Sequence, residues 1–399
     1  MKNSLFFLLI VLLFLSCTNY EDEILIDVID YENIHPDSIN TELAVININV
    51  IQEEFDNMYE NYNDDIEIEG TFSFYKNGEI LINDEVIELQ LKGTTSNVFP
   101  LKSLGIKFDN TYDNENHYLF DTNILPFHSV EKIKAFRLRN SGQDFEFTMI
   151  KDLCYTKLAV EAGLNIDLTY SEQTVVFIND VFLGLMNMRT EGNTNGISRL
   201  YDEDKDDVTL AKIKDGGVLE KKDGDFDKID RFIEAINQEN IDYLFDEVDI
   251  DNFIDYMIFE SYIGNLDWPK NNVRFFAIKE GPFRFIMYDL DLAATQNIDL
   301  SPLEYINTSI ENPITDLFNL FYSDESFKQN YDSRFNELLN SGVINSDKFN
   351  IIVEDYKSNI EHLIPTQVDK YKLPETYTEW YLNLEELKYN FQRREYYVR

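Results

Sequence analysis

Ile66-Glu67-Ile68-Glu69-Gly70-Thr71-Phe72-Ser73-Phe74-Tyr75, Lys76-Asn77-Gly78, Glu79-Ile80-Leu81-Ile82: an extended run, a turn and a second extended run. Asn-Gly between apolar alternations is a strong short-range hairpin signal, because both residues accept the positive φ that a tight turn needs. Working outward, Leu43 to Ile51 alternates as a preceding strand, and Glu85 to Leu91, Lys102 to Phe108 and Ala135 to Arg139 continue the strand series. Phe147 to Ala162 reads as a helix closed by Gly163, and Thr174 to Phe177 pairs with Leu183 to Met188 across Asn179-Asp180-Val181. The charge-dense stretch 202–228 reads as an exposed loop. Beyond it the apolar period lengthens to that of helices at 227–237, 249–262, 326–339 and 347–364, interrupted by two strands, Asn272 to Lys279 and Phe283 to Tyr288. A strand-rich first part (about 39–200) followed by a helix-rich second part (about 225–399) predicts an α+β fold of two lobes with a cleft between them.

The chain opens on Met1-Lys2-Asn3 and an unbroken apolar run of eleven residues, Leu5 to Leu15. That run is too short to span a bilayer but suits the apolar region of a signal peptide. It ends in Leu13-Phe14-Leu15-Ser16-Cys17, which resembles a bacterial lipobox, so residues 1–17 are expected to be an export signal ending at a lipidated Cys17. Residues 18–38, acidic and polar, would form a tether. The expected location is extracytoplasmic, held by lipid to the outer membrane or cell surface of a Gram-negative bacterium.

About 380 residues then remain, with 44% hydrophobic content, 30 Phe and 24 Tyr, which excludes wholesale disorder. A formal charge of −41 opposes polyanions, so nucleic acid is not an expected partner; divalent cations and basic protein segments suit it better. With Cys17 lipidated, Cys154 stands alone, and Asp152-Leu153-Cys154-Tyr155 reads as buried helix rather than part of a disulfide framework. Four scattered histidines argue against a histidine zinc site.

The densest polar information lies in Gly264-Asn265-Leu266-Asp267-Trp268-Pro269-Lys270-Asn271-Asn272 and Tyr288-Asp289-Leu290-Asp291. Asp267, Asn272 and Asp289 are ordered as in protein kinases: one Asp for the acceptor hydroxyl, an Asn five residues on for metal, and a later Asp for the metal at the phosphates. Moving a phosphoryl group concentrates negative charge, and hard oxygen ligands hold the Mg2+ or Mn2+ that offsets it. Asp289 and Asp291, two apart in an extended segment, are expected on one side. By spacing alone, a turn or helix cap explains these residues better than a metal site does.

Several further pieces occur in a set order. They are Leu89-Gln-Leu-Lys-Gly-Thr-Thr-Ser96, Phe99-Pro-Leu-Lys102-Ser-Leu-Gly-Ile-Lys107-Phe108, Phe136-Arg-Leu-Arg139-Asn-Ser-Gly-Gln-Asp144 and Val176-Phe-Ile-Asn-Asp-Val-Phe-Leu-Gly184-Leu-Met-Asn-Met-Arg189-Thr-Glu191. With the two acidic motifs, this combination over roughly 40–300 resembles the spore-coat CotH kinase family of atypical kinases. The resemblance implies Asp267 as the catalytic Asp, Asp289 and Asn272 as metal ligands, and Asp291 as a secondary ligand or brace. Lys102 or Lys107 would contact phosphate, and Arg189 and Glu191 would serve nucleotide binding or pair with each other. Arg137, Arg139 and Asp144 would shape the cleft by fork-like pairing. The chain departs from the family pattern at Leu101, where a second lysine often stands, and at Leu183, where an aromatic is usual.

The resemblance implies an ATP- and Mg2+- or Mn2+-dependent kinase acting on Ser or Thr of an extracytoplasmic protein. Two alternatives stay open: a non-catalytic surface or scaffold protein on the same fold, and a structural Ca2+ site built from the same oxygens.

Overall fold

The computed structural model describes residues 34–398 apart from 38, 40, 94, 109–118, 121–131, 215 and 308–311. The expected signal, its Cys17 and the first part of the tether lie outside the described residues; Ile34, at the tether's end, is buried in the larger core.

The strands, in chain order, are β1 Ala44–Val50, β2 Glu67–Lys76, β3 Glu79–Lys92, β4 Ser103–Lys107, β5 Leu119–Phe120, β6 Lys132–Ile133, β7 Ala135–Arg139, β8 Asp167–Leu168, β9 Ser171–Ile178, β10 Val181–Arg189, β11 Val208–Lys214, β12 Val218–Asp223, β13 Val273–Ile278 and β14 Arg284–Met287. Seven close into a barrel in the order β1-β2-β3-β4-β7-β10-β9, sealed by parallel pairing of β1 with β9. Alternation decides what faces where. Ile46, Phe72, Leu89, Leu104, Phe136, Leu138 and Met188 fill the barrel. Their sequence neighbours face outward, and the register Lys92↔Ser103, Gly105↔Arg137 and Arg137↔Arg189 sets polar groups side by side on one outer wall.

The second part packs helices against a five-stranded sheet ordered β12-β11-β13-β14-β8. At its centre lies the helix Ile250–Ile263, with every residue from Asn252 to Ile263 buried. This helix is buried on nearly every side, covered by β14 and by helices that follow, and its buried carboxyl groups are bonded, Asp255 by Arg334 and Glu260 by Asn265. The fold is therefore α+β, with a strand-rich first lobe and a helix-rich second one.

Two local differences from the sequence reading have physical causes. Within residues 202–228 a helix begins at Phe226, and Val208–Lys214 and Val218–Asp223 form the β11/β12 hairpin rather than an open loop. Gly216 and Gly217 supply its positive φ, and Lys212, Lys214 and Lys222 all pair with Glu220, so the charges that suggest a loop are matched across a ladder. The helix expected from Phe147 begins only at Lys151. The buried Asp144 carboxylate accepts from the amides of Thr148 and Lys151 and from the Thr148 hydroxyl, and this holds the intervening turn out of helix.

Candidate active site

The helix Ile250–Ile263 stops at Gly264, whose φ of +59° favours glycine. The loop that follows is tied down residue by residue. The Asn265 amide donates to Glu260 Oε2 (3.0 Å), the Tyr305 hydroxyl donates to the Asn265 carbonyl (2.7 Å), and Trp268 Nε1 donates to the Tyr256 hydroxyl (3.0 Å). The chain then returns so that Asn272 Nδ2 donates to Asp267 Oδ2 at 3.3 Å. Asp267 and Asn272 thus meet, as the five-residue spacing suggests. Burial, and after it the nearby Asp289 charge, push the Asp267 carboxyl up from its ordinary range.

Beyond the β13/β14 hairpin, Asp289 and Asp291 also converge, though not by the expected route. The backbone at Asp289 is left-handed (φ +66°), not extended. Arg139 Nη2 nevertheless donates to both Asp289 Oδ1 and Asp291 Oδ2, and the Gln143 amide donates to Asp291 Oδ2 at 2.9 Å. Arg139 Nη1 reaches Asp152 Oδ2 (3.1 Å), which also accepts from Arg189 Nη2, while Asp152 Oδ1 accepts from the Leu290 amide (3.1 Å). Burial, then the Asp289 charge, pushes the Asp291 carboxyl up from its ordinary range against the pull of Arg139. Burial works the same way on Asp152, but Arg189 and Arg139 together hold that carboxyl below its usual range. The fit at Gly142 is close: a Cβ there would lie 2.0 Å from Asp291 Oδ2 and 2.4 Å from Arg139 Nη2.

Of these groups, Asp289, Arg139, Arg189 and Gln143 line a cleft of about 210 Å3 whose wall also carries Lys92, Arg137 and Arg274, with Glu191 and Tyr288; Asp267, Asn272 and Asp291 are not among its lining residues. Arg137 pairs with Glu191 (3.0 Å), and Arg274 lies 4.2 Å from the Tyr288 ring centre and donates to the Gly192 carbonyl (2.8 Å). Burial, then Arg137, lowers the pKa of Lys92. Arg189, Glu191 and Asp289 all line this cleft, but Arg189 pairs with Asp152 and Glu191 with Arg137 rather than with each other. Lys102 and Lys107 do not line this cleft. Lys102 Nζ donates to the carbonyls of Asn97 (2.5 Å) and Phe99 (3.1 Å), and Lys107 pairs with Glu88 at 3.0 Å. The lysine in the cleft is Lys92, its stem laid across Gly105, where a Cβ would meet Lys92 Cε at 2.5 Å.

Lys92 and Arg274 were legible by alternation, each flanked by inward apolar neighbours, Leu91 in one case and Val273 and Phe275 in the other. Asp152 had no such signal, because its partners come from three separate segments.

Among the described residues, no group of three or more His, Cys, Asp or Glu side chains is arranged to hold a metal ion. That still suits Mg2+, which typically takes one or two carboxylates and completes its shell with water and substrate phosphates. Asp289, in the cleft wall, is an oxygen donor of that kind, and its convergence with Asp291 on one cationic nitrogen shows that the pair accommodates positive charge; the Asn272 amide meets Asp267.

Glu260, buried under the loop, is raised to about 8, mainly by burial; its Oε1 has no hydrogen-bond partner among the described residues. A carboxyl with a raised folded pKa holds its proton more tightly folded than unfolded. Its contribution is complete below the unfolded value and is lost as pH climbs towards about 8. Glu260→Gln, which cannot ionise, is therefore expected to melt near the wild type at pH 5 and roughly 2–4 °C above it at pH 8.5. Thermal scans at the two pH values check this; an equal gap at both would mean that Glu260 is ionised in the folded protein.

Comparison with known families matches residues 89–398 to the family described as CotH kinase protein. No curated protein matches the chain. Among solved structures, the chain is similar to the Shewanella oneidensis MR-1 toxin–antitoxin complex of HipA, HipB and operator DNA. That likeness has 10% identity over 88% of this chain and 72% of that one, with a TM-score of 0.30, too low to carry an argument.

Proposed function

The chain belongs to the CotH kinase protein family, and from that premise we propose that it transfers the γ-phosphoryl group of ATP to a serine or threonine hydroxyl of an extracytoplasmic protein. The observation that supports this most is the gathering of Lys92, Arg137, Arg139, Arg189 and Arg274 on one cleft of a chain whose net charge is −41. Cations so concentrated against the prevailing charge suit a polyanionic ligand, and the carboxylates beside them suit phosphoryl transfer.

In this reading Lys92, Arg137 and Arg274 take phosphate oxygens, and Glu191 with the Thr190–Gly192 connector borders the nucleotide. Asp289 and Asn272 would hold Mg2+ or Mn2+, which when bound supplies charge neutralisation at the phosphates. Asp267 accepts the proton of the acceptor hydroxyl as its oxygen bonds to the γ-phosphorus and the bond to ADP breaks. Export and a lipid on Cys17 belong to the same proposal and would set the acceptor among surface or envelope proteins.

Thermal unfolding of the full-length chain in mild detergent tests it, using wild type and Asp289→Ala with EDTA, Mg2+, Mn2+ or Ca2+, each with and without ATP. A rise of roughly 3 °C or more that needs ATP together with Mg2+ or Mn2+, and that Asp289→Ala abolishes, is the expected result. A rise with Ca2+ alone would point instead to a structural cation. No response from folded protein would point to a non-catalytic surface binder.

A further inference from the structure

The guanidinium of Arg139 does for the free protein part of what a divalent cation would do. Its Nη2 bridges Asp289 and Asp291, and its Nη1 is anchored on Asp152 at 3.1 Å. The two carboxylates differ in their freedom to change partner. The Asp291 side chain is 2% exposed and is also held by the Gln143 amide, whereas that of Asp289 is 29% exposed and lines the cleft. Asp152 is fixed independently of Arg139, by Arg189 and by the Leu290 amide. Arg139 can therefore release Asp289 without becoming an unpaired buried charge, since Asp291 and Asp152 remain as its partners.

We propose that Arg139 is a place-holding cation: it occupies Asp289 in the free protein and yields that carboxylate when a divalent metal binds, keeping Asp291 and Asp152. This rests on the reading above that Asp289 is a metal ligand. Without such a cation, neighbouring carboxylates repel, and one of them takes up a proton or the segment moves apart. A tethered guanidinium opposes this at the cost of competing with the metal. Nucleotide phosphates, arriving in the same cleft, offer Arg139 an alternative counter-ion, so metal and nucleotide bind better together than separately.

Mn2+ binding without nucleotide, read from the electron paramagnetic resonance of free Mn2+ over the full-length chain in detergent, tests the proposal. Arg139→Gln keeps a planar polar head and removes the competing charge; it is expected to bind Mn2+ ~10-fold or more tightly than wild type. Arg139→Lys keeps a charge but cannot bridge two carboxylates with one fork, and is expected to fall between them. Asp289→Ala should abolish the site in either background. Wild-type binding that needs Asp289 but is no tighter in Arg139→Gln overturns the place-holder and leaves the metal reading intact. If Arg139→Gln does not fold, Arg139→Lys decides, and affinity equal to wild type overturns the proposal. No Mn2+ binding by any variant, with ATP present as well, overturns the metal reading and the place-holder with it.

Discussion

Asp267→Asn is expected to lower phosphoryl transfer by a factor of ~10²–10⁴ while leaving nucleotide-dependent melting in place. The asparagine preserves the shape of the side chain and one oxygen able to accept from Asn272 Nδ2, now 3.3 Å from Asp267 Oδ2. It removes only the ability to take a proton. Because burial and the Asp289 charge both oppose ionisation at this position, the neutral residue should also melt no lower than wild type, and somewhat higher. Loss of turnover with retained or raised stability would be the signature of a site that gives up stability for chemistry. Transfer of the γ-phosphoryl of labelled ATP to envelope protein, set beside melting with and without ATP and metal, measures both halves. Turnover equal to wild type would remove Asp267 from the role of base.

The second large effect is expected far along the chain, at Arg394 in the last helix, Tyr377–Val398. Arg394 is fully buried, and its guanidinium donates to the carbonyls of Ser261 (2.6 Å), Tyr262 (2.6 Å), Ile298 (3.0 Å) and Leu300. Two of these belong to the closing turn of the helix Ile250–Ile263, where carbonyls lack intrahelical partners and the helix dipole favours a cation. Burial lowers the pKa of Arg394 to about 10, which still leaves it charged at neutral pH. Arg394→Met would fill much of the space but strand four acceptors in the interior, and should cost about 3–5 kcal/mol. Because Gly264 and the Asp267 loop follow directly, the ATP-dependent melting rise should weaken as well. Urea unfolding of Arg394→Met and Arg394→Lys checks the first point. A loss below about 1 kcal/mol would show that water replaces the guanidinium at these carbonyls.

Much of this arrangement could be read from alternation and turn chemistry. The strand Ala135–Arg139 matches its reading end to end, and the Asn179-Asp180 turn appears with positive φ at both residues. Glu79 to Ile82 and Glu85 to Leu91 read as two strands because Asn83-Asp84 interrupts the pattern. They are one strand carrying two register shifts against its partner, with Asp84 at φ +53°. The choice of lysine was harder. Lys107 does face outward between Ile106 and Phe108, as its neighbours imply, but so do Glu88, Gln90 and Lys92 on the paired strand. The register puts Lys107 opposite Glu88, which neutralises it, and brings Lys92 beside Ser103 at the cleft. Facing is a property of one strand, whereas distance from the cleft belongs to the whole sheet. The same limit hid Asp152, whose value comes from Arg139, Arg189 and Leu290, none of them near it in sequence.

Closure of the barrel by β1 against β9 bears on how the protein can be handled. The family match begins at residue 89, inside β3, and so leaves out β1, β2 and the first part of β3. A fragment cut at that boundary would keep every residue of the cleft yet turn a sealed cylinder into an open sheet. The flanks of β9 and of what remains of β3 would present rows of unpaired amides and carbonyls, and Leu89, Leu104 and Phe136 would lose the apolar lid now provided by Ile46, Ile48 and Phe72. Exposed edges of that kind recruit strands from other molecules. Such a fragment should gather into insoluble material even though nothing catalytic had been removed.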